Sequence, residues 1–314
     1  MINILEENVS NDVNFIHFTI ESELEITFST IGASIFRIKF SDRYNFLENV
    51  TLTPDSMMKW LENRTYSGAI VAPLAGRYAV HDTLLEQNRP PLHFHGGTDG
   101  YDKRIWTYKL TIAEKEAQIC FSLYDEQTKT HIHVRYLVNE QKQLSMEISA
   151  QTEQEIFFNP TNHLYFNLNG DRQKTIENHK LYLASDTYYV ENSEKLIVSP
   201  VEIAPNSTLD FSLSNGKLLN ELSEFGGLDT TFQFNDKKEG LLWQPDNGRA
   251  IHITTTLPAV VIFTFNQEQP LFAPAPKYAG ITFETQYPAN NLPLVALTKE
   301  SPYYEKTVYS FLHL

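Results

Sequence analysis

The sequence predicts an all-β protein, a large antiparallel β-sandwich with a few short helices, on three observations. Apolar and polar residues alternate over much of the chain, the breaks between alternating runs are short and polar, and helical periodicity is scarce. Successive side chains of a strand point to opposite faces, so a period of two marks a strand with one face toward a core.

Taken in order, Ile16, Phe18 and Ile20 followed by Leu24, Ile26 and Phe28 predict two paired strands. The stretch PDSMMKWLEN near residue 54 predicts a helix of two or three turns. From Trp106 a meander follows: Trp106, Tyr108, Leu110, Ile112; Ile119, Phe121, Leu123; Ile132, Val134, Tyr136, Val138; Leu144, Met146, Ile148. Its breaks, AEKEAQ, YDEQTKT and NEQKQ, have the length and polarity of hairpin connections. Next comes NPTNHLYFNLNG, Asn159 to Gly170. Read as one strand, it carries Pro160, Leu164, Phe166 and Leu168 on one face. Thr161, His163, Tyr165, Asn167 and Asn169 lie on the other, with no lysine or glutamate among them. The runs HKLYLASDTYYV, AIHITTT and AVVIFTF add strands, and KLLNELSEF near residue 217 predicts a second helix of two or three turns. A length of 314 residues suggests about two domains by size alone. No repeat, low-complexity tract or Pro/Gly/Ser-rich linker divides the chain, so residues 1–314 are predicted to form a single domain.

Composition narrows the class. With 41% hydrophobic, 12% aromatic and 20% charged residues the chain is of the globular kind. Its 25 Lys plus Arg against 39 Asp plus Glu give a formal charge of -14. A phosphate backbone or anionic membrane surface is repelled by such a balance, so no nucleic acid or membrane is expected as a partner. The lone Cys120 cannot form an intrachain disulfide, and MINILEENVSNDVNF lacks the basic and apolar regions of a signal peptide. Both point to the cytoplasm. LPAVVIFTF is far short of the roughly 20 apolar residues that span a bilayer.

Four polar stretches stand apart: NPTNHLYFNLNG; PLHFHGGTDGYDKRIW, in which His93 and His95 share a face if extended; EFGGLDTTFQF, with Asp229; and GITFETQYPANNLP, with Thr282, Glu284 and Gln286 on one face. Each residue alone has an ordinary reading. A strand histidine such as His163 is more often structural, Glu284 a solvated carboxylate, Asp229 a turn cap and Arg77 a surface cation. The His93/His95 pair invites zinc, yet the only cysteine is distant and neither a His-x-x-x-His helix nor CxxC occurs, so no metal is expected. Serine-hydrolase, phosphate-loop and dinucleotide fingerprints are also missing. One His, one Glu, one Asp and one Arg with amides and aromatics on a β-scaffold suit a neutral polyol: hydroxyls need paired donors and acceptors, and ring faces stack on aromatic side chains.

Together the stretches resemble the aldose 1-epimerase (galactose mutarotase) family. TNHLYFNL is similar to its T-N-H-x-Y-F-N-L, FHGGTDGYDKRIW to its L-H-G-G-x-x-G-[FY]-D-K-x-x-W, and FETQYP to its E-T-Q-x-x-P, in the same order. The resemblance implies a mutarotase-like supersandwich and a cofactor-free site that interconverts the anomers of a free aldose, the small-molecule partner. It implies that His163 is the general acid toward the ring oxygen and Glu284 the base toward the C1 hydroxyl. An ionised glutamate beside a protonated histidine lies near the ordinary pKa values of about 4.3 and 6.5. Arg77, His95 and Asp229 fall on sugar-contacting positions, and Tyr165 shares the catalytic face. The chain also departs from the pattern. In YSGAIVAPLAGR the asparagine next to the sugar-binding arginine becomes Gly76 and an earlier Gly-Arg becomes Ala72-Pro73. Val261 stands where the family has a glutamine contact, and the stretch joining Arg77 to His95 is shortened. A sugar other than plain galactose is therefore expected. Alternatives are a non-catalytic sugar-binding or regulatory protein, a hexose-phosphate epimerase, and a glycosidase using Asp229 with Glu284. No sequence feature sets an oligomeric state.

Overall fold

The structure, a computed structural model, describes residues 2–10, 12–54, 59–60, 66–80, 85–290 and 292–314. It is an all-β sandwich built on a nine-stranded antiparallel sheet. In spatial order the strands are Lys217–Leu218, Lys180–Leu183, Glu239–Trp243, Arg249–Thr255, Tyr303–His313, Gln143–Thr152, Thr130–Asn139, Glu116–Asp125 and Thr107–Ile112. The predicted meander forms the last four, paired in consecutive register. Phe121, Val134 and Ile148 face one another across three strands and are buried. Each such side chain contributes about 1.5–3 kcal/mol by leaving water. On the opposite face Glu147 lies between Arg135 and Lys306 and pairs with both.

Two five-stranded sheets pack against this one. The first runs in chain order through Ile2–Ser10, Val13–Ile20, Leu24–Ser29, Ser34–Ser41 and Leu47–Asn49. The predicted pairing of its second and third strands is present, with Ile20 opposite Leu24, Phe18 opposite Ile26 and Ile16 opposite Phe28. Phe28 stacks on Tyr136 at 4.9 Å between centroids and Phe40 meets Phe311 at 5.4 Å, joining the layers. The other sheet has the order Ile197–Glu202, Ser185–Glu191, Asp229–Phe234, Ala259–Phe263 and Glu284–Gln286. Among the described residues no helix is long and apolar enough to cross a membrane.

Two local expectations need correction. Asn159–Gly170 is not one strand with a core face and an open face. It forms two short strands, Thr161–Asn162 against Ile70–Val71 and Tyr165–Phe166 against Ile281–Thr282, and is buried on both sides from Phe158 to Leu168. Wedged between layers, its amides serve the backbone. Asn167 Nδ2 donates to the carbonyls of Lys174 and Ala279, both at 2.8 Å, and Asn169 Nδ2 to that of Thr175 at 2.9 Å. KLLNELSEF begins as the strand Lys217–Leu218 and holds only a four-residue helix, Leu222–Phe225, which ends at Gly226 in the left-handed region (φ 83°). Most of PDSMMKWLEN lies outside the described residues.

Candidate functional site

The segment 161–166 and the strand Glu284–Gln286 meet at one end of the sandwich, where Thr161 Oγ1 donates to the Thr285 carbonyl at 2.9 Å. That contact sets His163 beside Glu284. His163 Nε2 lies 3.3 Å from Glu284 Oε1, both side chains are buried, and both face a cavity of about 350 Å³. Burial in low dielectric raises the Glu284 pKa above its ordinary value, opposed by His163, by a hydrogen bond from Thr282 and by Arg77. His163 Nδ1 is buried with no partner among the described residues.

All six residues singled out by sequence line this cavity: Arg77, His95, His163, Tyr165, Asp229 and Glu284. Arg77, on the strand Arg77–Ala79, donates through Nη2 to Asp229 Oδ2 at 2.7 Å, and its Nη1 is 3.7 Å from Glu191. It is thus a half-buried paired cation, and Asp229 is its partner from 152 residues away rather than a turn cap. Desolvation of Arg77 is outweighed by these carboxylates, so its charge is held. Tyr165 rests on a second apolar cluster with Leu52, Phe265 and Phe272, and its ring is 5.0 Å from that of His163. Burial first, then Glu284 and Asp229, push its phenol well above the ordinary range, so it stays protonated.

His93 and His95 do not share a face. The strand ends at Phe94, and His95 turns into the left-handed region with φ 42°. Gly96 follows with φ 75°, where a Cβ would lie 2.2 Å from the Ala72 carbonyl oxygen, so only glycine fits the turn. His95 therefore swings into the cavity, while His93 is buried elsewhere with Nδ1 3.0 Å from the Glu86 carbonyl. Gly76 N–H donates to His95 Nδ1 at 3.1 Å. Burial, with His163 and Arg77 adding repulsion, lowers the His95 pKa well below its usual value. The neutral ring, accepting at Nδ1, carries its proton on Nε2 and is a donor there.

That tautomer bears on metal binding. His95, His163 and Glu284 each bring a ligand atom within 4.8 Å of the others. With Nδ1 occupied and Nε2 protonated, His95 has no lone pair for a cation. The set suits hydrogen bonding and proton transfer.

Sequence reasoning missed part of the wall. Tyr66, with φ 61°, packs edge-on against His95 at 4.8 Å and closes one side. It opens YSGAIVAPLAGR, a stretch in which the resemblance marks Arg77 and gives the tyrosine no role. Phe94 lies between two histidines and carries the Arg77 and Arg89 guanidinium groups near its ring at 5.6 and 4.8 Å. Glu191 ends a strand in a run with no distinguishing pattern, and only the fold brings it to Arg77.

The composition of this cavity and the order of its motifs agree with what comparison finds. Residues 15–310 match the aldose 1-epimerase family. The chain belongs to that family. Human galactose mutarotase is 26% identical over 294 residues, covering 86% of this chain and 84% of the relative. The Haemophilus influenzae aldose 1-epimerase is 26% identical over 252 residues, covering 71% of this chain and 72% of its own length. Among solved structures, galactose 1-epimerase from Lactobacillus acidophilus superposes with a TM-score of 0.86 at 22% identity, covering 100% of this chain and 99% of that one. This likeness identifies the fold.

Proposed function

We propose that the protein is an aldose 1-epimerase that interconverts the α and β anomers of a free aldose. The observation that carries this reading is the buried His163–Glu284 pair, 3.3 Å apart, facing a cavity. An acid and a base side by side are what ring opening needs. Glu284 takes the proton of the C1 hydroxyl while His163 gives one to the ring oxygen, and the C1–O5 bond breaks to an open-chain aldehyde. Rotation about C1–C2 presents the other carbonyl face. Re-closure, with His163 and Glu284 exchanging tasks, yields the opposite anomer. The His95 Nε2–H donor, the Arg77–Asp229 pair and the Tyr165 phenol supply donors and acceptors for sugar hydroxyls. The chain acts as one unit in the cytoplasm, a reading supported by the continuous core cluster from Ile2 to Phe311 and the lone half-buried cysteine.

The substrate is an aldose other than plain galactose, a larger, modified or deoxy sugar. Support comes from two positions in the wall. Gly76 (φ 96°) faces Ala289, whose Cβ would be 2.9 Å from any Cβ added there, so this corner holds no side chain. Val261 lines the cavity opposite Glu284 on the adjacent strand and offers no amide. A phosphorylated sugar is disfavoured because, of the three cations lining the cavity among the described residues, Arg77 is matched by Asp229 and Glu191 and Lys195 pairs with Glu191 at 3.1 Å, which leaves Arg89 alone to meet a phosphate. Anomerisation and calorimetry on one panel of aldoses test the reading. Acceleration of at least one sugar is expected, with galactose not the best. Binding without acceleration would favour a sugar-binding protein, and equal efficiency on galactose and the rest would remove the specificity claim.

A further inference from the structure

We propose, resting on the acid–base reading above, that Thr282 is a positioning residue that aims Glu284, engaging Oε1 so that Oε2 is the atom that receives the anomeric proton. Thr282 is fully buried and ends the two-residue strand Ile281–Thr282. Side chains two apart on a strand share a face, and a local turn at Phe283, marked by Thr285 N–H donating to the Phe283 carbonyl at 3.1 Å, accompanies the approach of these two. The Thr282 hydroxyl has a single proton. Its oxygen accepts the Phe263 N–H at 3.2 Å, and an ionised carboxylate only accepts, so the hydroxyl proton points to Glu284 Oε1 at 2.9 Å. A relay results, from Phe263 N–H through Thr282 O–H to Glu284, each bond polarising the next. The same Oε1 faces His163 Nε2 at 3.3 Å. Among the described residues no hydrogen-bond donor reaches Oε2. With one oxygen held from two sides, the carboxylate cannot swing, and its second oxygen is left for substrate.

The relay also opposes the desolvation that disfavours the charged carboxylate. The other groups that bear on Glu284 are His163, Arg77, Asp229, the Tyr165 phenol and the neutral His95 ring, which has a nitrogen within 4.8 Å of the carboxylate. Val261, opposite it on the neighbouring strand, is uncharged. Removing the hydroxyl therefore leaves a base that ionises at higher pH and is free to rotate.

The test uses the full chain with 13C-carboxyl glutamate, the Glu284 resonance being assigned by its loss in Glu284→Gln. Glu284 is titrated in wild type, Thr282→Val and Thr282→Ser, and kcat/KM is followed against pH on an aldose that wild type turns over. In Thr282→Val the Glu284 titration and the acid limb are expected to move up together by about one pH unit, a tenfold change in the ionisation constant. Below the limb kcat falls with KM little changed, and Thr282→Ser, which keeps the hydroxyl, follows wild type. A Glu284 titration in Thr282→Val that superimposes on wild type overturns the proposal, as does Thr282→Ser behaving like Thr282→Val. Should Thr282→Val not fold, Thr282→Cys, whose thiol is a weaker donor, is titrated in its place: an upward shift supports the proposal and a superimposed curve overturns it. The titration needs no turnover, so wild type that accelerates no aldose counts against the proposed function while the role of Thr282 is still decided.

Discussion

Two buried charged groups in this protein are treated in opposite ways. Arg249 is wholly buried, and its guanidinium is closed off: Nε donates to the Phe40 carbonyl at 3.0 Å, Nη1 to Leu168 at 3.2 Å, and Nη2 to Phe46 and to Glu48 Oε2, both at 2.7 Å. Around Glu284 the bonding is left open. His163 Nδ1 and Gln286 Oε1 are buried without partners among the described residues, and the contacts of Glu284 to Thr282 and His163 both fall on Oε1, with no donor to Oε2 among the described residues. A buried polar group without a partner costs about 1–3 kcal/mol. A network that ties N-terminal, central and C-terminal strands together is complete, whereas one that must exchange protons with a ligand keeps positions vacant for it. The first kind serves stability and the second chemistry.

The contrast can be broken from either side. The largest effect is expected on stability from Arg249→Ala, which empties a fully buried site and removes four hydrogen bonds, one of them to a carboxylate, and should cost about 3–5 kcal/mol in denaturant unfolding. The folded fraction should keep its kcat. Next, His163→Asn removes the proton donor and should lower kcat by about 100- to 10,000-fold with an unchanged melting temperature, checked by anomerisation kinetics and calorimetry. Arg77→Leu leaves Asp229 unpaired at the cavity and should reduce kcat/KM by about 10- to 100-fold, mostly through KM. A smaller effect is expected from Val261→Gln, which adds an amide to the wall and should change the galactose preference by about 2- to 10-fold.

The pH dependence follows with a definite sign. Burial raises the Glu284 pKa above its ordinary 4.5, so the folded state holds that proton more tightly than the unfolded chain. The resulting stabilisation is fully present below the unfolded value and is lost as pH rises through the folded one. Glu284→Gln should accordingly melt higher than wild type at pH 8, with the difference closing toward pH 4. Activity runs the other way, since the base must be ionised, and its acid limb should lie above the usual carboxylate range.

The regions differ in how far their residues announce them. The meander from Thr107 to Thr152 is legible because each strand meets a core on one face only, so Phe121, Val134 and Ile148 record the period directly. The segment from Asn159 to Leu168 defeats the same reading because layers cover it on both sides, and a single-faced pattern cannot describe two-sided burial. His163, Glu284, Asp229 and His95 stood out through motif resemblance. Glu191 did not, because its place beside Arg77 depends on strand register; Tyr66 and Phe94 open stretches that carry the resemblance but show no role there, because a positive-φ turn at or next to each brings it to the wall. Regular alternation fails where the backbone turns sharply, at Tyr66, Gly76 and His95, and these residues line the cavity.

Polarimetry of freshly dissolved α-glucose, α-galactose, xylose, arabinose and maltose, with wild type and with Glu284→Gln, tests the central claim most directly. Wild type should relax at least one of these sugars faster than buffer, and Glu284→Gln should return that trace to the buffer rate. Wild-type traces that all match buffer, or a Glu284→Gln trace as fast as wild type, would contradict it.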